Sequence, residues 1–514
     1  MVLRGLPGSR WQTDAVRRVA TLAEVQEADK AAAADVGEAV LIERAATAVA
    51  TRASDLLGRV YGAPVTVLVG SGHNGADALQ AAARLARRGA AVTVVKASDR
   101  EPDAHGQAGL AAVLAAGGRV AAEPPAAARL VIDGMTGVGA TGPLRARAAD
   151  LALAVRGQLT VAVDLPSGVD CDTGAVLGEA VRADLTVTFD ALKPAHLVGE
   201  GAHLSGVVHV AAIGLGLAGT VGPLGALTAD DVARLLVAPD EHEDKYSRGV
   251  VGLVTGSPRY PGAAVLSVGG AVRSGAGYVR YAGPCAAAIH QRWPSVVVGD
   301  GRVDAVVVGC GLGIDDQTRE RVRTVLDAGL PTVVDADALA AGRDALKART
   351  APTLITPHVG EFQRLTGVDP RPNPLACARR AAAELEVTVL LKGQHTIVAA
   401  PDGRARINTT GSSWLSTAGT GDVLAGAAGA LMAAFAKHGM PEEDIALEAG
   451  SAAAFLHGLA GHRASESAGS LRAGSSGWSS GSLRAGSSVA GAPFPAEALL
   501  DVWPDVVRAV RGTS

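Results

Sequence analysis

The segment Ser416-Thr417-Ala418-Gly419-Thr420-Gly421-Asp422-Val423-Leu424-Ala425-Gly426 sets small and hydroxyl-bearing residues ahead of an Ala-, Leu- and Met-rich stretch that runs to Phe435. That stretch reads as a helix. The N–H groups of its first turn have no intrahelical acceptor and can hold the negative charge of a phosphate. Asp422 falls at the helix start, where a carboxylate can take the proton of a hydroxyl attacking a phosphoryl group. A Gly/Thr turn that merely caps a helix has the same composition, so this segment alone does not separate the two roles.

Three further segments share its half of the chain. Lys245-Tyr246-Ser247-Arg248-Gly249 leads into the apolar run Val250–Val254 and then Tyr260-Pro261-Gly262-Ala263-Ala264. Thr356-Pro357-His358-Val359-Gly360-Glu361-Phe362 and Leu391-Lys392-Gly393-Gln394-His395-Thr396 each follow an apolar run. In this order the four segments resemble the ribokinase-like, ADP-dependent NAD(P)H-hydrate dehydratase family, from about Leu227 to the C-terminus.

The resemblance implies that ADP phosphorylates the hydroxyl of hydrated NADH or NADPH. Phosphate then leaves, the nicotinamide double bond is restored, and AMP and phosphate are released. Hydroxide is a poor leaving group near neutral pH and phosphate a good one, which makes the detour rational. By the same resemblance Asp422 is the base, and the N–H groups of Gly419 to Gly421 form the anion hole. Ala263, Gly311, His358 and Asp422 contact the substrate; Lys392, Gly393, Gln394, His395, Thr396 and Gly421 contact the AMP moiety. Cys310, in Gly309-Cys310-Gly311-Leu312-Gly313, stands where the family more often has Pro. Asp335 and Asp337 also lie at a strand end, where they hold magnesium through water or cap the turn; both roles stay open.

The first half carries a different set. Val67-Leu68-Val69-Gly70-Ser71-Gly72-His73-Asn74-Gly75-Ala76-Asp77-Ala78 reads as a strand, a Gly-rich turn and a helix start. Its partners are Val131-Ile132-Asp133-Gly134-Met135-Thr136-Gly137-Val138-Gly139 and Val163-Asp164-Leu165-Pro166-Ser167-Gly168-Val169-Asp170. Together they look like the NAD(P)H-hydrate epimerase family across about Thr21 to Leu215. The resemblance implies that His73, Asn74, Gly75, Ala76 and Asp77 form the loop that holds the cofactor phosphates, and that Gly137-Val138-Gly139-Ala140-Thr141-Gly142-Pro143 form a second binding loop. It makes Asn74, Asp133 and Ser167 ligands of a potassium ion, a hard-oxygen set that suits such a cation better than zinc or copper. Asp164 becomes the acid/base beside the reacting ring carbon. The family loop is usually Asn-Asn-Gly-Gly-Asp-Gly, and this chain departs from it at His73, Ala76 and Ala78. Alanine does not enter positive-φ geometry cheaply, so either those positions are helical or the loop is altered.

The elements that must position these residues are strands alternating with Ala-rich helices. After two helices within Leu22 to Arg52, strands are expected at Pro64–Gly70, Ala91–Ala97, Leu130–Asp133, Thr160–Leu165, Leu185–Phe189 and Val207–Ala211, and again at Val250–Thr255, Ala305–Gly309, Pro331–Asp335, Thr353–Thr356, Thr388–Lys392 and Thr396–Ala399. Continuous Val/Leu runs of this kind belong to parallel sheets buried on both faces. The expected fold is α/β in two domains: a doubly wound, Rossmann-like parallel sheet followed by a ribokinase-like α/β/α domain. The division runs 1–20 as an extension or over-long translation start, 21–218 as the epimerase domain, 219–226 as a Gly-rich linker and 227–514 as the dehydratase domain. A Ser/Gly/Ala insertion at about 464–492 repeats Gly469-Ser470-Leu471-Arg472-Ala473-Gly474-Ser475-Ser476 at 481–488 and reads as a flexible spacer.

Composition bounds the partners. The chain of 514 residues carries a net charge of -4 and has a pI near 6.3, so no basic face is available for nucleic acid. It lacks a secretory leader pattern and any apolar run long enough for a membrane span, and a cytoplasmic location is expected. The four cysteines show neither a disulfide framework nor metal-ligand spacing. Expected partners are the NADH and NADPH hydrates and ADP as co-substrate, with potassium and magnesium as cofactors and a homo-oligomer as the assembly. The rival reading is a ribokinase-like vitamin or sugar kinase fused to a non-catalytic Rossmann-like binding module.

Overall fold

The computed structural model describes residues 18–219, 222–236, 244–470 and 491–512. The extension before residue 18 and most of the duplicated Ser/Gly segment lie outside them. The chain divides into two compact units between Gly222 and Pro223.

In the first unit seven parallel strands lie in the order β3-β2-β1-β4-β5-β6-β7: β1 Pro64–Val69, β2 Ala91–Lys96, β3 Arg119–Ala121, β4 Leu130–Gly134, β5 Thr160–Val163, β6 Leu185–Phe189 and β7 Val207–Ala211. Side chains alternate across a strand, so each strand feeds both faces. Val65, Val67 and Val69 pack with the helices Glu38–Leu57 and His73–Arg87; Leu68 faces the other way, onto Leu151 and Val155. This is the doubly wound sheet that the Val/Leu runs predict. The two opening helices run Leu22–Val36 and Glu38–Leu57, and Thr21 starts the first with a reciprocal bond to Glu24.

The second unit holds a ten-stranded sheet, β11-β10-β9-β12-β13-β14-β15-β16-β17-β8: β8 Leu224–Gly225, β9 Val250–Val254, β10 Tyr278–Tyr281, β11 Val297–Val298, β12 Ala305–Val308, β13 Thr332–Val334, β14 Thr353–Ile355, β15 Thr388–Leu391, β16 Ile397–Ala399 and β17 Ala405–Ile407. Pairing is parallel from β11 to β15, and β16 is antiparallel to both of its neighbours. Leu224–Gly225 fall inside the expected linker yet pair with β17.

The helix Thr420–Lys437 is buried along most of its length and apolar all round, as a helix enclosed by a core must be. It packs on Pro261–Arg273 so closely that a Cβ on Gly426 would lie 1.9 Å from the Ser267 carbonyl oxygen. No described helix is long and apolar enough to cross a membrane.

Candidate active sites

In the first unit the order of strands reverses at β1 and β4. Ligands of open parallel sheets bind there, beyond the carboxyl ends of the strands. A cavity of about 930 Å³ opens at this point. Its wall takes Gly70 to Gly75 after β1, the whole run Gly137 to Pro143 after β4, and Asp164 after β5. All three motifs found in the sequence therefore converge.

Their local structure differs in one respect. His73 to Asp77 are the first turns of the helix His73–Arg87, and the loop itself is Gly70-Ser71-Gly72. Ala76 and Ala78 are helical and fully buried, so alanine suits these positions. His73, Asn74, Gly75 and Asp77 line the cavity; Ala76 does not. Asp77 is 7% exposed, and its Oδ1 has no hydrogen-bond partner among the described residues. Burial, reinforced by Asp164 and Asp29, holds its carboxyl well above the usual carboxylate range.

Asp164 ends β5 in left-handed backbone geometry, φ 64°. Three residues from the segment after β5 hold it. The ammonium of the fully buried Lys193 lies 2.6 Å from Oδ1, and the Thr188 hydroxyl donates to the same oxygen at 2.7 Å. His196 Nε2 lies 2.9 Å from the Asp164 carbonyl oxygen, while its Nδ1 accepts the Lys193 backbone N–H. Burial pushes His196 down to about 4, so the ring is neutral and must donate from Nε2. Asp164 Oδ2 takes part in no hydrogen bond among the described residues and remains available to a ligand.

Behind the cavity, Asp133 accepts the Ser167 hydroxyl at 2.7 Å, the Ser167 N–H at 2.8 Å and the Met135 N–H at 3.2 Å. All its hydrogen-bond donors are neutral, and complete burial raises its carboxyl to about 6. The Asn74 amide meets the carbonyl oxygens of Thr136 and Val163 at 2.8 and 2.6 Å. A buried carboxylate without a cationic partner, a hydroxyl and converging carbonyls form an oxygen-rich cluster, the donor type that suits a weakly hydrated monovalent cation.

In the second unit Asp422 is the third residue of the helix Thr420–Lys437, entered through Gly419 at φ 92°. Thr420 fastens the loop by donating to the carbonyls of Leu415 and Thr417. His457, on Glu442–Ser470, places Nε2 2.9 Å from the Thr420 carbonyl oxygen, and burial lowers it to about 4. Asp422 itself is pushed up to about 7, by burial first and then by Asp335. The Lys392 ammonium, 2.8 Å from Asp335 and 3.8 Å from Glu361, opposes that shift without cancelling it. The Cys310 thiol approaches Asp335 at 3.4 Å, and one ligand atom each of Cys310, Asp335 and Asp422 fall within 4.8 Å of one another. Cysteine spacing in the sequence did not announce this cluster, because its members come from two strand ends, after β12 and β13, and the start of the helix Thr420–Lys437.

His358 caps the helix Val359–Thr366: Nδ1 accepts the N–H of Gly360 and of Glu361, and the Glu361 carboxylate accepts the His358 N–H. The residue also pairs with Lys392 across an isolated parallel bridge. A cavity of about 490 Å³ is walled by His358, Lys392, Gly393, Gln394, Thr396 and Gly421, together with Ser412, Ser413 and Leu415 to Ala418. His395 is not on this wall. Asp422, Ala263 and Gly311 also lie outside it; Ala263 touches Gly311, where a Cβ would come within 2.6 Å of the Ala263 methyl. The residues assigned to AMP thus form one wall, apart from His395, and Gly421-Asp422 joins them to a second group. Asp337 accepts the Gly313 N–H at 2.8 Å, the turn-capping alternative.

The residues that sequence reasoning passed over are Lys193, Thr188, His196 and His457. One signal existed for the first: Lys193 follows the buried run Leu185–Phe189 and precedes Pro194, a cation at the end of a parallel strand.

Residues 38–195 match the family model described as YjeF-related protein N-terminus, and residues 251–475 match that of NAD(P)H-hydrate dehydratase. The bifunctional NAD(P)H-hydrate repair enzyme Nnr of Mycobacterium tuberculosis is 43% identical over 436 residues, covering 82% of this chain and 89% of the relative. The protein of the same name from Mycobacterium leprae is 42% identical, covering 87% and 93%. Among solved structures, the ADP/ATP-dependent NAD(P)H-hydrate dehydratase of Bacillus subtilis is 27% identical, covering 55% of this chain and 98% of that one, with a TM-score of 0.46.

Proposed function

Because this chain belongs to the family of bifunctional NAD(P)H-hydrate repair enzymes, we propose that its two cavities carry out the two halves of that repair: epimerisation of the hydrate in the first unit and nucleotide-driven dehydration in the second. The observation that supports this best is the pair of strand-end sites in one chain, each with a carboxylate next to a Gly-rich helix start: Asp164 opposite Gly70-Ser71-Gly72, and Asp422 after Gly419-Thr420-Gly421.

In the first site, Asp164 acts as acid/base at the hydroxylated ring carbon through its unbonded Oδ2. Lys193 and Thr188 fix Oδ1 and His196 fixes the backbone. The pyrophosphate rests on the N–H groups at the start of His73–Arg87. Asn74, Asp133 and Ser167 would hold a potassium ion, which would neutralise the buried Asp133 and stiffen the turn below the substrate.

In the second site the nucleotide lies along Lys392 to Thr396 and Gly421. Asp422, deprotonated, takes the proton of the hydrate's hydroxyl as that oxygen attacks the terminal phosphorus of ADP. AMP leaves, the new phosphate ester breaks its C–O bond, and a proton is lost as the double bond returns. The N–H groups at the start of the helix hold the transferred group. Asp335 is bonded to Lys392, Thr356 and Cys310, so it would meet a magnesium ion through water and not as a direct ligand.

The test uses a mixed pool of hydrated NADH epimers, the full-length protein and ADP, followed at 340 nm. The native protein should restore absorbance for the whole pool. Asp164→Ala should stop near the fraction present as the usable epimer. Complete, fast consumption by that variant would remove Asp164 from its role. Phosphorylated product without recovery at 340 nm would favour the kinase reading instead.

A further inference from the structure

The cavity of the first unit spans more of the sheet than the hydroxylated ring needs. One end lies at Asp164 after β5; the other takes Ala97, Ser98 and Arg100 after β2. Between them Gly70-Ser71-Gly72-His73-Asn74-Gly75 follows β1 with the spacing Gly-x-Gly-x-x-Gly and opens a helix. The third glycine permits close packing: a Cβ on Gly75 would come 2.2 Å from the Gly70 carbonyl oxygen. In a sheet ordered β3-β2-β1-β4-β5-β6 this turn seats a pyrophosphate, and the adenosine ribose lies over the end of β2.

The residue at that end decides what the ribose can carry. A carboxylate there accepts from a free 2′-hydroxyl, whereas an arginine accommodates a 2′-phosphate. Here the strand ends Lys96-Ala97-Ser98-Asp99-Arg100. Lys96 is engaged by Glu101 at 2.8 Å, and Asp99 is not part of the cavity wall. Arg100 is exposed on that wall, and its guanidinium makes no ion pair or hydrogen bond among the described residues. Its backbone N–H donates to the Ser98 hydroxyl at 3.0 Å, which shapes the turn that presents it. The other cations of the wall, Lys30 and Arg145, belong to other elements: Lys30 to Leu22–Val36, and Arg145 to the start of Ala146–Ala154.

We propose that Arg100, with Ser98, forms a 2′-phosphate subsite, so that the epimerase site takes the hydrate of NADPH in preference to that of NADH. This rests on the reading of the first unit as the epimerase. A planar guanidinium can bind two phosphate oxygens at once, and a 2′-hydroxyl offers it only one neutral oxygen.

The experiment follows conversion of each purified hydrate epimer by chromatography, without nucleotide, using the full chain. The expected result is a larger kcat/KM for the NADPH hydrate. Arg100→Ala should lower the ratio of the two kcat/KM values by about ten- to a hundredfold, mainly through KM, as loss of a charged hydrogen-bonding pair does. A ratio that Arg100→Ala leaves unchanged overturns the subsite. Calorimetric binding of adenosine 2′,5′-bisphosphate and of 5′-AMP gives a readout that needs no turnover. Arg100→Ala should weaken the bisphosphate about tenfold more than the monophosphate, and equal weakening again overturns the subsite. A native protein that epimerises neither hydrate defeats the epimerase reading, while the binding comparison still decides the fate of Arg100.

Discussion

Asp422→Asn separates catalysis from stability, because the same burial sets both. The carboxyl rises from 3.8 to about 7 in the fold, which is about three pH units, or roughly 4 kcal/mol at 1.36 kcal/mol each. A carboxyl whose folded value exceeds its unfolded one binds its proton more tightly in the native state. Its contribution is full below about pH 4 and is lost as pH rises through about 7. Asparagine never ionises, so the variant escapes this loss. At pH 8 it should be more stable than the native protein by up to about 4 kcal/mol, less whatever water entry relieves. At about 2–4 °C per kcal/mol this is a rise of up to roughly 8–16 °C in melting temperature, shrinking towards zero at pH 4. Dehydration should fall by about a hundredfold to ten-thousandfold through loss of the base. In the native protein, dehydration should climb with pH through about 7, as the base form appears. The assays are recovery of 340 nm absorbance and melting curves at several pH values, with conversion of the epimers as an internal control. A variant that keeps more than about a tenth of the dehydration rate, a barrier change under 1.4 kcal/mol, makes Asp422 a helix cap and no more. A melting difference that does not grow with pH shows that its carboxyl is not desolvated as the fold implies.

Other outcomes follow from the same geometry. Lys193→Met keeps the length of the side chain but leaves Asp164 buried without its cation. It should destabilise the first unit by about 3–5 kcal/mol, read by denaturant unfolding, and cut epimer conversion; an unchanged unfolding midpoint would show that the pair contributes nothing net. ADP should drive dehydration better than ATP, measured as release of AMP and phosphate, and a clear preference for ATP would reverse the nucleotide assignment around Lys392 and Gly421.

The buried centres of both sheets were legible because a parallel strand must be apolar on both faces. Leu185–Phe189 and Val207–Ala211 match to the residue, and the other expected strands differ by one or two positions at their ends. Arg119–Ala121, Leu224–Gly225 and Val297–Val298 escaped notice because strands of two or three residues at or near a sheet edge leave no run to read. Tyr278–Tyr281 alternates buried and half-buried residues, a pattern too short to stand out from a loop. The strand-end motifs announced themselves through Gly, Pro and Asp. Lys193 and His457 did not, since each works by touching a backbone or carboxylate far away in sequence. Of the two readings that the alanines left open for the loop after β1, the structure takes the helical one, since Ala76 and Ala78 sit buried inside His73–Arg87.

The left-handed backbone at Asp164 has a consequence for how this protein can vary. A side chain at φ 64° is disfavoured by about 1 kcal/mol or more, and glycine would sit there more comfortably. Glycine would relieve that strain but would leave the fully buried Lys193 ammonium without its counter-charge, a cost of about 3–5 kcal/mol that outweighs the relief. The network of Lys193, Thr188 and His196 holds a conformation that the local chain does not favour. Any attempt to harden this enzyme by consensus or by design should leave residue 164 and its three supports alone, and look for added stability on the far side of the sheet.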